Sequence, residues 1–300
     1  MLGKLIVIAG PTAVGKTAVA IQLAQYYNTA ILSVDSRQCY RELTIGVAKP
    51  SLHALQAVPH YFINSHSIHQ PINAVSYQQY ALGIIKTLFA KHNTIIVVGG
   101  TGLYLNALLY DANAVPEIPN EVTLSVQQLY LHNGLAWLQA QIQKLDSAYT
   151  NANDLNNTHR MLRALAVVTH TGNTITHYKQ IQQIEPRSFI HYLYGLQLPR
   201  EQLYTIINNR VLQMIDDGLL NEVKTLLPYQ HLQALQTVGY TELFGYINGA
   251  LTLPLAIEKI QQHTRNYAKR QVTWFSKMER LKWLTPNNAV EVITKEIPIH

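Results

Sequence analysis

Leu5-Ile6-Val7-Ile8-Ala9-Gly10-Pro11-Thr12-Ala13-Val14-Gly15-Lys16-Thr17 is the stretch from which the rest of the chain is read. Its first five residues are a short apolar run suited to a buried strand. Its last eight match the pattern G-x-x-x-x-G-K-[ST] in full, and Ala18 to Leu23 reads as the helix that follows. Strand, glycine-rich loop and helix in that order let backbone N–H groups wrap a chain of phosphates. Lys16 then reaches the outer phosphate oxygens, and Thr17 can hold a magnesium ion. A glycine turn that binds nothing is the bland alternative, and the flanking strand and helix speak against it.

Outward from this loop, residues 1–110 alternate strand-like and helix-like segments. Ala30-Ile31-Leu32-Ser33-Val34 reads as a second strand ending at Asp35, and Tyr77 to Ala90 as a helix. Thr94-Ile95-Ile96-Val97-Val98 reads as a strand ending at Gly99-Gly100-Thr101-Gly102. Apolar strands in strand–helix–strand order predict a parallel sheet covered on both faces. Ligands of such sheets sit beyond the carboxyl ends of the strands, so the loop, Asp35 and Thr101 are expected to converge on one crevice. Pro116-Glu117-Ile118-Pro119-Asn120 marks a change of style. From about 121 to 180 the pattern is helical, polar and Gln/Asn-rich, with no strand. Tyr192-Leu193-Tyr194-Gly195-Leu196-Gln197-Leu198 then reads as a further strand of the sheet, followed by long helices from Arg200 to the Trp283-Leu284 region. The middle is therefore a helical insertion into an α/β core.

The composition is that of a globular protein, and 300 residues suffice for one large domain or two of ordinary size. With Cys39 as the one cysteine there is no intrachain disulfide and no cysteine zinc site. No apolar run approaches the ~20 residues of a membrane span. The apolar start reads as a strand, not a signal peptide. A soluble protein of the cytoplasm is the expectation. The formal net charge is +6, and basic residues cluster: Arg160 with Arg163, and Arg265 with Lys269, Arg270 and Lys277. Such clustering suits a polyanion such as nucleic acid, although solvated surface lysines give the same total.

Several residues carry two readings. Asp35 at a strand end can hold magnesium, accept a proton from a nucleophile, or simply cap a turn. Beside it, Gln38 offers an amide suited to an adenine edge, and Arg37 a guanidinium suited to phosphate or guanine. The Gly99–Gly102 turn carries no acid, which counts against a motor-type nucleotide hydrolase. It can also be only a tight corner. Asn157 to Leu165 reads as a helix start capped by Asn157 or Asp154. There Arg160 and Arg163 share one face, Leu162 and Leu165 the other, and a merely solvated basic face remains open. Arg265 to Phe275 interleaves basic and aromatic residues, as a phosphate backbone and unstacked bases would require. Ile257, Ile260, Tyr267 and Trp274 are expected to dock that helix; a core-packed helix with a basic outer face is the alternative. Arg210 is either a surface group or a finger toward the phosphates.

Together these segments resemble the tRNA dimethylallyltransferase (isopentenyltransferase) family in its bacterial form, from about Lys4 to Trp283. The resemblance is carried by the Gly10–Thr17 loop, Asp35-Ser36-Arg37-Gln38-Cys39-Tyr40, and Ile45-Gly46-Val47-Ala48-Lys49-Pro50 followed by Pro59-His60-Tyr61. Gly99 to Tyr104, Asn153-Asp154 through Arg160 to Leu165, Val238-Gly239-Tyr240 with Glu242, and the run 264–275 add to it. The loop alone is generic; the ordered set is specific. The resemblance implies transfer of a dimethylallyl group from dimethylallyl diphosphate to the exocyclic N6 amine of the tRNA adenosine at position 37, beside the anticodon of tRNAs reading codons that start with U. It implies that Gly10, Pro11, Thr12, Ala13, Val14, Gly15, Lys16 and Thr17 hold the diphosphate, with magnesium on Thr17 as cofactor. Asp35 would be the general base, Thr101 would position the acceptor or the diphosphate, and Lys16 and Arg210 would stabilise the leaving group. The implied tRNA contacts are Asp35, Ser36, Arg37, Gln38, Thr101, His159, Arg160, Met161, Leu162 and Arg163, then Gln236, Gly239, Tyr240, Lys269, Arg270 and Gln271. Thr123, Cys39, Asn173 and Ser276 depart from the family pattern, and no zinc-finger tail of the eukaryotic kind is read.

The expectation is thus an α/β fold: a P-loop nucleotide-kinase-like parallel sheet core with helices on both faces and an all-helical insertion domain. Residues 1–112 and 190–285 form the core, 113–189 the tRNA-binding insertion, and 286–300 a C-terminal tail. The partners are the tRNA anticodon stem-loop and dimethylallyl diphosphate, with no membrane and a monomer by default. One rival is a P-loop small-molecule or nucleoside kinase, which leaves the insertion and the basic helix unexplained. The others are an RNA-binding protein with a vestigial loop and a prenyltransferase acting on free adenine nucleotides.

Overall fold

The computed structural model describes residues 2–110, 115–152, 155–181 and 186–299. They fall into two compact units, Met1–Tyr110 with Arg187–His300, and Asp111–Pro186.

In the larger unit the strands are β1 (Gly3–Ala9), β2 (Ile31–Val34), β3 (His60–Tyr61), β4 (Thr94–Gly99), β5 (Phe189–Leu196) and β6 (Lys282–Leu284). They form one sheet in the order β3-β2-β4-β1-β5-β6, and each neighbouring pair is parallel. Four helices precede the smaller unit: α1 (Lys16–Tyr26), α2 (Leu52–Ala57), α3 (Ala74–Phe89) and α4 (Gly102–Tyr110). The smaller unit holds α5 (Asn120–Leu145), α6 (Ser147–Ala152), α7 (Thr158–Thr171) and α8 (Ile175–Ile181). After β5 come α9 (Arg200–Asp216), α10 (Leu219–Leu226), α11 (Tyr240–Ile247) and α12 (Leu253–Phe275), and after β6 comes α13 (Pro286–Glu296).

The central strands are mostly apolar because both faces are covered. Along β1, Leu5, Val7 and Ala9 enter one hydrophobic cluster with residues of α3, α4, α10 and α11. Ile6 and Ile8 enter another with α1, α13 and the start of α9. Side chains alternate along a strand, so a run without polar residues feeds two cores at once. The doubly covered parallel sheet expected from the sequence is therefore the sheet found.

Three differences from the sequence reading have plain causes. β3 and β6 were not anticipated, since two or three residues are too few to carry a periodicity; they exist because Ile31 and Tyr194–Leu196 offer parallel edges to pair with. The segment expected as a tail is instead the helix α13. Thr285 and Asn288 form its capping box, Pro286 opens its first turn, and Ala289, Ile293 and Ile297 recur every fourth residue to bury against α1. Tyr27 donates from its hydroxyl to the Ile297 carbonyl at 2.6 Å, and Lys282 and Tyr194 both bond Glu296. Finally, Tyr267 and Trp274 are not buried as the docking stripe of α12, although the Trp274 ring packs on Gly102. Its buried residues are Ala256, Ile260, Ala268, Gln271 and Phe275, and both aromatics stay over a third exposed.

The smaller unit has its own core, in which Val126, Leu138 and Ile142 of α5 meet Met161, Ala164, Leu165 and Val167 of α7. Among its described residues there is no strand. α5 breaks at Gly134, whose φ of 79° lies outside the helical region. Asn157 caps α7 by accepting from the Arg160 amide at 3.1 Å. Asn153 and the other cap candidate, Asp154, lie outside the described residues. No helix among the described residues is long and apolar enough to cross a membrane.

Candidate active site

The Gly10–Thr17 loop joins the carboxyl end of β1 to α1. Gly10 holds φ 137°, and a Cβ there would lie 2.7 Å from the Leu196 carbonyl oxygen, so only glycine lets the chain leave the sheet this closely. Ala13 has φ 66°, left-handed backbone in a residue with a side chain. No side chain caps α1, and no acid sits in its first turn. Its N-terminal amides are therefore open to an anion.

Lys16 donates from Nζ to the Pro11 carbonyl at 2.6 Å. Burial brings its ammonium down to about 8, opposed by nearby Asp35 and assisted by nearby Arg210. Arg210, projecting from α9, feels the same pair of influences, with burial lowering and Asp35 raising its affinity for a proton. One carboxylate thus lies between two cations, although among the described residues no ion pair joins them directly. Asp35 ends β2 and makes the turn that follows, its Oδ1 accepting from Arg37 N at 2.9 Å and Gln38 N at 3.2 Å. The turn-forming reading of Asp35 leaves room for the chemical one: Oδ1 is spent on the turn, and among the described residues nothing hydrogen-bonds the other oxygen. Thr101, after β4, accepts at Oγ1 from the Ser36 amide at 3.1 Å, which ties the two strand ends together. Tyr267 of α12 lines the cleft beside Asp35, and burial pushes its phenol up to about 12.

Two adjoining cavities share Thr12, Asp35, Arg210 and Tyr267. The one on the phosphate-loop side, about 720 Å³, includes Lys16, Thr17, Gln38 and Gln271. The other, about 530 Å³, has an apolar floor of Ile207, Val211, Met214 and Leu219 beneath Arg37, Gln236, Gly239 and Arg270. The crevice expected from the strand ends is therefore present, with the loop, Asp35, Thr101's turn and Arg210 around it.

The other named residues divide. Ser36, Arg37 and Gln38 stand at the cleft, but two of them brace its walls. Arg37 donates to the carbonyls of Gln233 (3.0 Å) and Ala234 (3.2 Å), and Gln38 to those of Val47 (3.2 Å) and Ala48 (3.0 Å). Gly239 donates its amide to Glu242 at 2.7 Å, and Glu242 also bonds His263 at 2.5 Å. Lys269 and Arg270 are exposed on α12, with Arg270 over the Tyr267 ring at 5.8 Å. In the smaller unit His159, Arg160 and Arg163 are exposed and Leu162 is half-buried. Three side chains are not where a contacting group would be. Met161 and Tyr240 are wholly buried, in the smaller unit's core and under the Gly46 loop respectively. Gln271 is 5% exposed and spans two loops, accepting from Thr12 N at 2.8 Å and donating to the Gly100 carbonyl at 3.0 Å. The sequence reading missed this strut, and it missed Glu222, whose carboxylate gathers the amides of Thr44, Ile45 and Gly46. Neither role has a local signal, since each bridges segments over 170 residues apart.

A family model described as IPP transferase matches residues 38–278, which begins just after the loop and Asp35. The chain is 40% identical over 289 residues to tRNA dimethylallyltransferase 1 of Bacteroides thetaiotaomicron, covering 96% of this chain and 94% of that protein. Among solved structures, the full-length tRNA isopentenylpyrophosphate transferase of Bacillus halodurans superposes with a TM-score of 0.72 at 31% identity, covering 98% of this chain and 95% of that one. A eukaryotic dimethylallyltransferase acting on tRNA gives 0.82 at 25% identity, covering 97% and 78%.

Proposed function

The chain belongs to the IPP transferase family and transfers a dimethylallyl group to tRNA, and we propose that the donor is dimethylallyl diphosphate and the acceptor the exocyclic N6 amine of the adenosine at position 37, in tRNAs reading codons that start with U. The observation that carries this reading is that Asp35 and Arg210 stand where two cavities adjoin, one holding Lys16 and the phosphate loop, the other lined by apolar side chains.

In the proposed reaction the bond from the allylic carbon to its diphosphate oxygen breaks, and the diphosphate leaves with the electron pair. The amine nitrogen forms the new C–N bond and its proton passes to Asp35. Lys16, Arg210 and the loop amides offset the charge that develops on the leaving group. Ile207, Val211, Met214 and Leu219 suit a branched five-carbon chain. An amine inside a stacked loop cannot reach Asp35, so the base has to be turned out of the stack. Positioning and electrostatics then supply most of the rate. His159, Arg160, Arg163, Lys269 and Arg270 are the exposed groups suited to RNA phosphates, and Met161, Tyr240 and Gln271 support the structure around them.

Magnesium fits the donor set. Among the described residues no cluster of His, Cys, Asp or Glu could hold a metal alone, and the exposed Thr17 hydroxyl makes no protein hydrogen bond. Magnesium favours that arrangement, with one protein oxygen, substrate phosphate oxygens and water. Bound there, it would neutralise diphosphate charge. The kinase alternative is not favoured, because the related proteins, matched over 96–97% of this chain, are dimethylallyltransferases. We place the protein in the cytoplasm, acting as a monomer.

The test is to incubate the protein with magnesium, dimethylallyl diphosphate and unmodified tRNA, then digest the tRNA and weigh its nucleosides. A five-carbon gain on one adenosine, absent with free AMP as acceptor, is expected. Prenylated AMP or a phosphorylated small acceptor in place of that gain would refute the reading.

A further inference from the structure

We propose that Gln271 is a positioning residue for the donor site, a strut from α12 that fixes the phosphate loop against the turn carrying Thr101. The proposal rests on Gly10–Thr17 being the diphosphate site.

Both ends of the Gln271 amide are used. Its Oε1 accepts from Thr12 N at 2.8 Å and its Nε2 donates to the Gly100 carbonyl at 3.0 Å, with the residue 5% exposed. Neither bond belongs to a helix or to the sheet. Thr12 precedes Ala13, which is held in the left-handed region, so the loop is fixed from outside at the point where its own backbone is strained. The bond also withdraws Thr12 N from any anion and leaves the amides that follow it to meet the phosphates. Gly100 has a matching requirement: a Cβ there would stand 2.1 Å from Gln271 Nε2. The second glycine of the turn thus makes room for the strut.

One helical turn earlier on α12, Tyr267 lines the cleft with Asp35, and Thr101, next to Gly100, holds the Ser36 amide beside Asp35. The same helix therefore grips both the donor loop and the Gly100–Thr101 turn through Gln271, while presenting Lys269 and Arg270 outward. Among side chains of this size only an amide, or a protonated acid, both accepts from Thr12 and donates to Gly100.

The experiment compares the full-length wild type with Gln271→Met and Gln271→Glu. It measures the affinity for inorganic diphosphate with magnesium by calorimetry from acid to neutral pH, and kcat and KM for donor and tRNA. Gln271→Met should weaken diphosphate binding about tenfold or more, the loss expected from two buried hydrogen bonds, and raise the donor KM more than the tRNA KM. Gln271→Glu should be as weak at neutral pH, then recover relative to wild type as the pH falls, because its protonated form alone restores both bonds. Taking the ratio to wild type at each pH cancels the protonation of diphosphate and of Lys16. A ratio that is flat with pH overturns the proposal. So does a methionine variant that keeps its diphosphate affinity while its tRNA KM rises, which would return Gln271 to RNA contact. The acid-side recovery of Gln271→Glu keeps the test decisive if Gln271→Met fails to fold. A wild type that binds no diphosphate would instead sink the reading of the loop.

Discussion

Replacing Glu222 by glutamine should loosen the wall between the two cavities and lower stability measurably. Glu222, on α10, accepts four hydrogen bonds. Thr44 N (3.2 Å) and Ile45 N (2.8 Å) reach Oε2, while Gly46 N (3.1 Å) and the Tyr240 hydroxyl (2.6 Å) reach Oε1. Glutamine keeps one acceptor oxygen, so its N–H group faces either the Thr44 and Ile45 amides or the Gly46 amide, the Tyr240 hydroxyl in the second case turning to accept. Hydrogen bonds to a charged acceptor contribute about 1.5–3 kcal/mol each. The Thr44 end is exposed, so water replaces part of that loss, and a net cost of about 2–3 kcal/mol remains. For a unit of this size that is a fall of roughly 5–10 °C in Tm. Because Gly46, Val47 and Ala48 line the cleft, the donor KM should rise as well. Thermal melts of Glu222→Gln, Tyr240→Phe and the double variant form the assay. Tyr240→Phe removes one of the four bonds and should cost about 1 kcal/mol, and the two changes should sum to less than their parts because they share that bond. A Glu222→Gln protein melting within about 1 °C of wild type would show that the carboxylate does not hold the loop.

Three further outcomes are expected. Asp35→Asn should lower turnover by ~10²-fold or more, the scale of a lost general base, with diphosphate affinity near wild type; unchanged turnover removes Asp35 from the chemistry. Because the Lys16 ammonium titrates near 8, the affinity for an unreactive donor analogue should decline as the pH rises through that value, by up to about tenfold per pH unit. Lys16→Met should lack that limb, and a wild-type curve flat well above pH 8 would contradict it. The sign for stability is opposite: the buried charge costs stability below about 8, and the cost fades as the pH climbs toward 10.5. Arg160→Ala and Arg270→Ala should each weaken tRNA binding and flatten its salt dependence by about one counterion; an unaltered slope means that these arginines touch no phosphate.

The sequence by itself determined the sheet and the positions of its chemistry. Leu5–Ala9, Ile31–Val34 and Thr94–Val98 are almost wholly apolar, with Ser33 and Thr94 the exceptions, as strands covered on both faces require. Parallel strands put Gly10–Thr17, Asp35 and Thr101 at the same edge. The loop pattern is local, so it can be read locally. Tertiary structure decided everything that depends on partners distant in the chain. Gln271 looks like one more polar residue in a basic helix, and only packing turns its amide onto Thr12 and Gly100. Tyr267 fits a helical apolar stripe, yet Ala268, one position on, faces the core and leaves Tyr267 to the cleft. Met161 and Tyr240 sit in motif-bearing stretches and are nonetheless buried. A sequence records which residue types are adjacent along the chain; which hydrogen-bonding groups of remote segments satisfy one another is settled only when burial removes water as their alternative partner.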